Sequence, residues 1–140
     1  MTMETSDVRR QVVETIDRAK RRAQEKRARV DEAATTYERF LELTAVPLFR
    51  QIANALRAHA HPFSVSTPGG SVRLESDRGG DDSIEIVLGT DDEPVVVIRS
   101  RRGRGRRVIE SERAVGQPET VTEDELLSAV MKELEPMVER

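Results

Sequence analysis

Residues 12–44, VVETIDRAKRRAQEKRARVDEAATTYERFLELT, decide the architecture of this chain. Small or apolar residues recur there at alternating steps of four and three, which is the heptad spacing of one helix face. The members of this seam are Val12, Ile16, Ala19, Ala23, Lys26, Val30, Ala33, Tyr37, Phe40 and Thr44. The pattern predicts one long amphipathic helix whose seam has two polar interruptions, Lys26 and Thr44.

The two ends of this helix differ in character. The aromatic residues of the chain fall at or beyond its C-terminal end, at Tyr37, Phe40, Phe49 and Phe63. The part before them is lined by alanine, so we expect a basic, alanine-rich helical arm over residues 1–45 and a folded body over residues 46–140. Pro47 lacks a backbone N–H and crowds the preceding turn, which predicts a kink or break there and a second helix over residues 47–58.

The apolar period changes after residue 62 from helical to alternating. This change predicts an antiparallel meander of four or five strands over residues 63–115, with turns at Pro68–Gly70, Asp77–Asp82 and Gly89–Pro94. Residues 95–98 are Val-Val-Val-Ile and therefore apolar on both faces. We expect them to form a central strand that is covered on both sides or lies at an interface.

The last helix has the strongest start signal in the chain. Thr122 and Glu125 have the spacing of a capping box, and Val121 with Leu126 forms the hydrophobic staple around it. These signals predict a helix over residues 122–135. Helix, meander and helix in this order indicate an α+β fold.

Charge is segregated along the chain, whose net charge is −3. Residues 1–60 carry +3, residues 61–98 carry −6, residues 99–113 carry +5 and residues 114–140 carry −5. Segments of opposite sign either pair within the fold or attract an opposite charge from another molecule. No stretch approaches the roughly 20 apolar residues that cross a bilayer, so we expect no membrane contact and a cytoplasmic location.

Little in the sequence indicates a catalytic or metal site. There is no cysteine, and the only histidines are His59 and His61, which point in different directions on a helix and have no third ligand in sequence. The acidic groups at residues 81–82 and 91–93 flank one strand and so lie at its opposite ends, too far apart for paired-carboxylate chemistry. We therefore expect no enzyme activity, no metal and no cofactor.

The first of two basic features is the link between the last two predicted strands. It reads as a hairpin whose end carries arginines able to bind phosphates or an acidic partner. Pairing with the acidic C-terminal helix and plain solvation are the alternatives. The arginines are Arg99, Arg101, Arg102, Arg104, Arg106 and Arg107.

The second basic feature flanks the alanine part of the seam. Like charges at these heptad positions oppose pairing of the arm's middle with itself, so the arm is suited to an acidic partner. The flanking cations are Lys20, Arg22, Arg27 and Arg29. A homodimer is expected instead through residues 37–56. Its candidate contacts are Tyr37, Phe40, Leu41, Leu48 and Ile52.

Three functions remain, in order of preference. The first is a non-enzymatic protein–protein interaction or assembly module that engages an acidic partner surface through the arm and the arginine-rich hairpin. The alternative is a nucleic-acid-binding protein that contacts phosphates without regard to sequence. The third is a small enzyme, or an enzyme subunit, with an unrecognised site.

Overall fold

The computed structural model describes residues 2–91 and 93–139 and has the predicted α+β architecture. A long N-terminal helical region precedes a five-stranded antiparallel sheet and a C-terminal helix. The helices are α1 (Thr5–Phe40), α2 (Val46–Ala58) and α3 (Glu123–Val138), and a π-helical turn (Leu41–Ala45) joins α1 to α2. The strands are β1 (Phe63–Ser66), β2 (Val72–Ser76), β3 (Ser83–Gly89), β4 (Val95–Arg104) and β5 (Arg107–Gly116).

The interruption predicted near Pro47 takes the form of the π turn, and the helix continues through it from Thr5 to Ala58. The N–H of Val46 donates to the carbonyl of Leu41, five residues earlier, which is the π spacing. Pro47 follows directly, at the second residue of α2, so the wider turn lies immediately before the residue that lacks an N–H. The widened turn therefore accommodates the proline without ending the helix.

The sheet is a simple meander in the order β1-β2-β3-β4-β5, so every neighbour in sequence is also a neighbour in space. The apolar side chains at alternate strand positions point to one face, where the helices cover them. The largest fully buried side chains are Phe49, Leu74, Ile84, Ile86, Ile98, Leu126, Val72, Val96 and Val130. On β4, Val97 is also buried on the opposite face, which agrees with the prediction for residues 95–98.

The β4–β5 hairpin is longer than the sequence pattern suggested. Its register runs without a break from Val97–Ala114 to Arg104–Arg107, and the turn lies at Gly105 and Arg106. Gly105 has a φ of +63°, a conformation that glycine adopts without strain. Arg99 and Arg101 therefore lie inside β4, further from the end of the hairpin than Arg102, Arg104, Arg106 and Arg107, which corrects the prediction for Arg99 and Arg101.

Helix α3 begins as predicted. The Thr122 hydroxyl accepts from the Glu125 N–H, and the Glu125 carboxylate accepts from the Thr122 N–H, which completes the capping box. The helix extends to Val138, past the predicted end at residue 135. Pro136 is tolerated because the carbonyl it leaves without a partner belongs to Lys132, an exposed residue in the last turns.

The N-terminal part of α1 stands clear of the body. Every residue from 8 to 29 is exposed, and the first buried residue is Ala33. We call residues 5–32 the projecting helix; at 1.5 Å per residue it is about 42 Å long. The exposed part of α1 thus ends near residue 32, earlier than the predicted boundary at residue 45, because Ala33, Tyr37 and Phe40 pack into the core.

Candidate functional site

Two of the predicted partner-binding arginines are paired across the β4–β5 hairpin. Arg99 faces Glu112 and Arg101 faces Glu110 in the strand register. The Nε–Oε1 distances are 3.6 Å for Arg99–Glu112 and 3.4 Å for Arg101–Glu110. All four side chains are more than half exposed, so each pair contributes little to stability, although it neutralises the arginine locally.

These pairs belong to an alternating row of charges on the open face of the sheet. Cross-strand partners run from Arg73 on β2 through Glu85 on β3 and Arg99 on β4 to Glu112 on β5. The Nη2 of Arg73 lies 3.0 Å from Oε2 of Glu85, and its Nη1 lies 3.1 Å from Oε1 of Glu75. The hydrogen bond to Glu75, and after it the charge of Glu85, raise the pKa of Arg73. The row borders an open groove of about 710 Å³. Opposite charges alternate along it, so the face as a whole is not a basic patch.

The remaining arginines form a cluster at the end of the hairpin that we call the arginine turn. Its members are Arg102, Arg104, Arg106 and Arg107. Within residues 2–91 and 93–139, none of them forms an ion pair, and all but the half-buried Arg102 are exposed. The acidic β2–β3 turn lies beside them, since the Gly103 N–H donates to the Asp82 carboxylate at 3.0 Å.

The hairpin does pair with the acidic C-terminal helix, but through an arginine outside the predicted set. Arg113 lies 3.3 Å from Glu133 of α3 and donates to the carbonyl of Ala129 at 3.4 Å. The hydroxyls of Ser100 and Ser111 also donate to Glu133. This contact holds β4 and β5 against α3 and leaves the arginine turn out of it.

The projecting helix keeps all four of its predicted binding cations exposed. Residues 18–29 carry seven basic side chains and one acidic one. At about 100° per residue, Arg22 and Arg29 flank one side of the alanine seam, while Lys20 and Arg27 flank the other side. The result is a shallow apolar stripe with cations along both borders.

The body next to the base of the projecting helix is acidic. Lys26 and Arg29 line a cleft of about 270 Å³ together with Glu93 and Glu119. This cleft lies at the β3–β4 loop, next to the first residue of β4. The arginine turn lies at the other end of β4, next to its last residue. Ten strand residues separate the two ends by about 30 Å. The two basic features that the sequence suggested would act together are therefore far apart.

The candidate self-association residues lie inside the protomer. Tyr37, Phe40, Leu48 and Ile52 are buried in the core, and Leu41 is half-buried against it. Their apolar surface is buried within the protomer, because these side chains pack between the helices and the sheet. In the 37–56 region, Leu43 is the large apolar residue that remains exposed, at 67%.

The part of the chain that the structure describes was searched for clusters of metal-binding side chains and for membrane-spanning helices. Across residues 2–91 and 93–139, no group of three or more His, Cys, Asp or Glu side chains could hold a metal ion. No helix in the same ranges is long and apolar enough to cross a membrane.

In comparisons with known proteins, no family model, no curated protein and no solved structure matches the chain.

Sequence reasoning missed the acidic partners of the hairpin arginines. The signal was present, because Glu110 and Glu112 alternate along β5 with the same period of two as Arg99 and Arg101 along β4. Setting the turn at Gly105 and Arg106 would have placed these residues opposite each other. Arg73 and Glu85 could not be found in this way, since their pairing depends on the register across the longer β2–β3 loop.

Proposed function

We propose that the chain is a non-enzymatic interaction module and that the projecting helix is its docking element for an acidic helical segment of a partner protein. The observation that carries the proposal is the exposed, cation-bordered alanine stripe of residues 18–29. Small seam residues let a second helix approach closely, and cations at both borders attract acidic residues that flank the partner's own apolar stripe. The cytoplasmic location inferred from the sequence stays a prediction.

The charges around the projecting helix favour a protein helix over a nucleic acid as the partner. The base of the stripe faces Glu93 and Glu119, which repel acidic side chains as well as phosphates there, so the surface that can bind an anion is short. A partner helix about 10 Å wide can use the stripe alone. The arginine turn, about 30 Å away by strand rise, offers a duplex no continuous path of positive charge between the two sites.

Charge reversal at the border of the stripe tests this proposal. The double variant Arg22→Glu/Arg29→Glu should lose at least tenfold of its partner recovery in a quantitative pull-down from cells. The matched control is Arg10→Glu/Arg21→Glu, which makes the same change in charge on the helix face opposite the seam and should retain the partner. Equal losses in the two variants would show that bulk charge, rather than the stripe, attracts the partner.

Nucleic-acid binding, the alternative function, is tested in a separate gel-shift assay. Duplex DNA and RNA should give no shift with the wild-type protein at about 50 mM salt, a condition in which phosphate contacts are strong. A complex whose affinity falls steeply with salt, by about 0.9 in log slope per phosphate neutralised, would replace the proposal with the phosphate-binding function. Repeating the assay with Arg104→Glu/Arg106→Glu would then assign the binding to the arginine turn or to the projecting helix.

A further inference from the structure

The outer edge of β5 carries backbone groups that the sheet does not use, because β5 pairs with β4 alone. In a hairpin with a two-residue turn, the residues that close the turn are hydrogen-bonded to each other, and so is every second pair after them. Arg104–Arg107 closes this turn, so Ser111 and Arg113 bond to β4. The N–H and C=O groups of Glu112 and Ala114 point outward instead, and among the described residues they have no hydrogen-bond partner.

A groove of about 440 Å³ lies beside this edge, between β5 and one flank of α3. Arg113, Ala114 and Val115 line it on the strand side, and Ser128 and Ala129 line the middle of its helix side. Val115 and Ala129 are half-buried and supply apolar surface. The side chains in the middle of the helix side are small, so the groove has room for a side chain from another molecule.

Helix α3 runs antiparallel to β5 along this groove. Arg113 donates to the carbonyl of Ala129, and Ser111, two residues closer to the hairpin turn, donates to Glu133, one helical turn further along α3. Four residues of a helix rise about 6.0 Å, and two residues of a strand rise about 6.8 Å. A strand added to β5 would therefore present one side chain to each successive turn of α3.

The two ends of the groove differ in charge. Asp124 and Lys132 lie two turns apart on the exposed side of α3, and neither forms an ion pair within the described part of the chain. Glu125 adds to the acidic end, although its carboxylate also accepts from the Thr122 N–H. At the other end, Glu133 is already neutralised by Arg113, so Lys132 is the charge that remains for a ligand.

We propose that this groove binds an extended segment of another protein, which adds to the sheet as a strand antiparallel to β5. The outward groups of Glu112 and Ala114 call for an extended partner, since a helix uses its backbone groups internally. Every second side chain of the segment then faces α3. A basic side chain lies beside Asp124, an apolar one over Ser128 and an acidic one beside Lys132. The recognised pattern, from N- to C-terminus, is basic-x-apolar-x-acidic.

A second copy of β5 does not fit this position. A symmetric antiparallel pair over the groove has its centre at Ser111, Glu112 or Arg113. These registers place Glu110 against Glu112, Glu112 against itself and Arg113 against itself, and like charges directly opposite each other destabilise a sheet. The segment therefore comes from a different protein. The groove shares no residue with the stripe of residues 18–29, so this site goes beyond the docking function proposed for the projecting helix.

Fluorescence polarisation with labelled synthetic peptides tests the site. The probe carries Arg-Thr-Val-Thr-Glu between flanking threonines, and a control peptide of the same composition exchanges its arginine and glutamate. The wild-type protein should bind the probe at least fivefold more tightly than the control, and Asp124→Lys/Lys132→Asp should reverse this preference. Absence of binding by both peptides at about 1 mM would overturn the proposal. A wild-type preference for the control would indicate a parallel strand and overturn the stated direction.

N-methylation of the probe tests the backbone pairing separately. In the antiparallel register the two threonines between the charged residues lie opposite Glu112 and Ala114, so their N–H groups point towards β5. Methylation of either nitrogen should abolish binding, whereas methylation of the valine nitrogen, which points away from β5, should leave the affinity within about twofold. Equal effects at the three nitrogens would overturn strand addition.

A bulky side chain in the groove tests the location. Ser128→Tyr should weaken probe binding at least fivefold, whereas Met131→Tyr, an exposed position of α3 outside the groove, should not. Equal losses would place the peptide elsewhere on α3 and overturn the proposal. Arg22→Glu/Arg29→Glu should bind the probe like the wild-type protein, so failure of this site and failure of the projecting-helix function are distinguishable.

Discussion

At the scale of single residues, Tyr37 fixes the base of the projecting helix to the sheet. Its side chain is buried, and its hydroxyl lies 3.0 Å from the carbonyl oxygen of Gly70 and 3.3 Å from that of Ile86. Burial, with a smaller effect from the Glu85 carboxylate, raises the pKa of Tyr37 to about 12. The hydroxyl therefore stays protonated, and can donate, well above the ordinary pKa of tyrosine.

This contact predicts a specific loss of stability in alkali. Because the pKa of Tyr37 is higher in the folded than in the unfolded chain, its contribution is complete below pH 10 and disappears as the pH rises towards 12. Denaturant unfolding at pH 8 and pH 11 should show this fall in the wild-type protein. Tyr37→Phe should be less stable by about 1 kcal/mol at pH 8 and should lack the tyrosine-dependent part of the fall.

Titration of tyrosinate absorbance supplies the control for this prediction, since Tyr37 is the chain's single tyrosine. An ordinary pKa near 10 in the folded protein would contradict the buried hydrogen bonds.

At the scale of elements, the two longest helices begin in different ways. Helix α3 has a complete capping box, in which the Thr122 hydroxyl accepts from Glu125 N–H at 3.2 Å. In α1, by contrast, Glu4 occupies the N-cap position and makes no side-chain hydrogen bond there. The first turn of α1 is thus held by backbone bonds and by one exposed ion pair, Asp7–Arg10.

The two helix starts should respond differently to loss of a hydroxyl. Thr122→Ala should lower the free energy of unfolding by about 1 kcal/mol, because it leaves a helix amide without its acceptor. Thr5→Ala should change it by less than about 0.5 kcal/mol, since no capping bond is lost at an exposed position. Thermal unfolding of both variants measures the difference. Equal effects would indicate that the Thr5 hydroxyl caps α1, in contrast to the start without a side-chain cap that the structure has.

At the scale of the whole molecule, the hydrophobic core lies in the body, and residues 8–29 of the projecting helix are exposed and contribute no side chain to it. Deleting residues 2–28 should therefore change the free energy of unfolding by less than about 0.5 kcal/mol. Deleting residues 2–40 removes Ala33, Tyr37 and Phe40 from the core and should prevent stable folding. Calorimetry of the two truncations distinguishes these outcomes, and a large loss in the shorter deletion would show that residues 2–28 contribute to the core.

The architecture could be predicted from sequence because its signals are local. The seam spacing, the alternating strands and the Thr122 cap each depend on residues only a few positions apart. The helix was harder to predict at Pro47, because a proline in a helical pattern is compatible both with a widened turn and with a break in the helix. The partners of Arg99 and Arg101 were missed because the turn at Gly105 and Arg106, which sets the register of β4 against β5, was not assigned from the sequence.

Strand β5 has a further consequence for the molecule, because it is one edge of the sheet. Its outer N–H and C=O groups can accept another strand, and the exposed Val108 and Ile109 would favour such growth into aggregates. Glu110 and Glu112, which balance the arginines of β4, also place charge along this edge. The same two carboxylates that neutralise the open face thus protect the protein from edge-to-edge polymerisation.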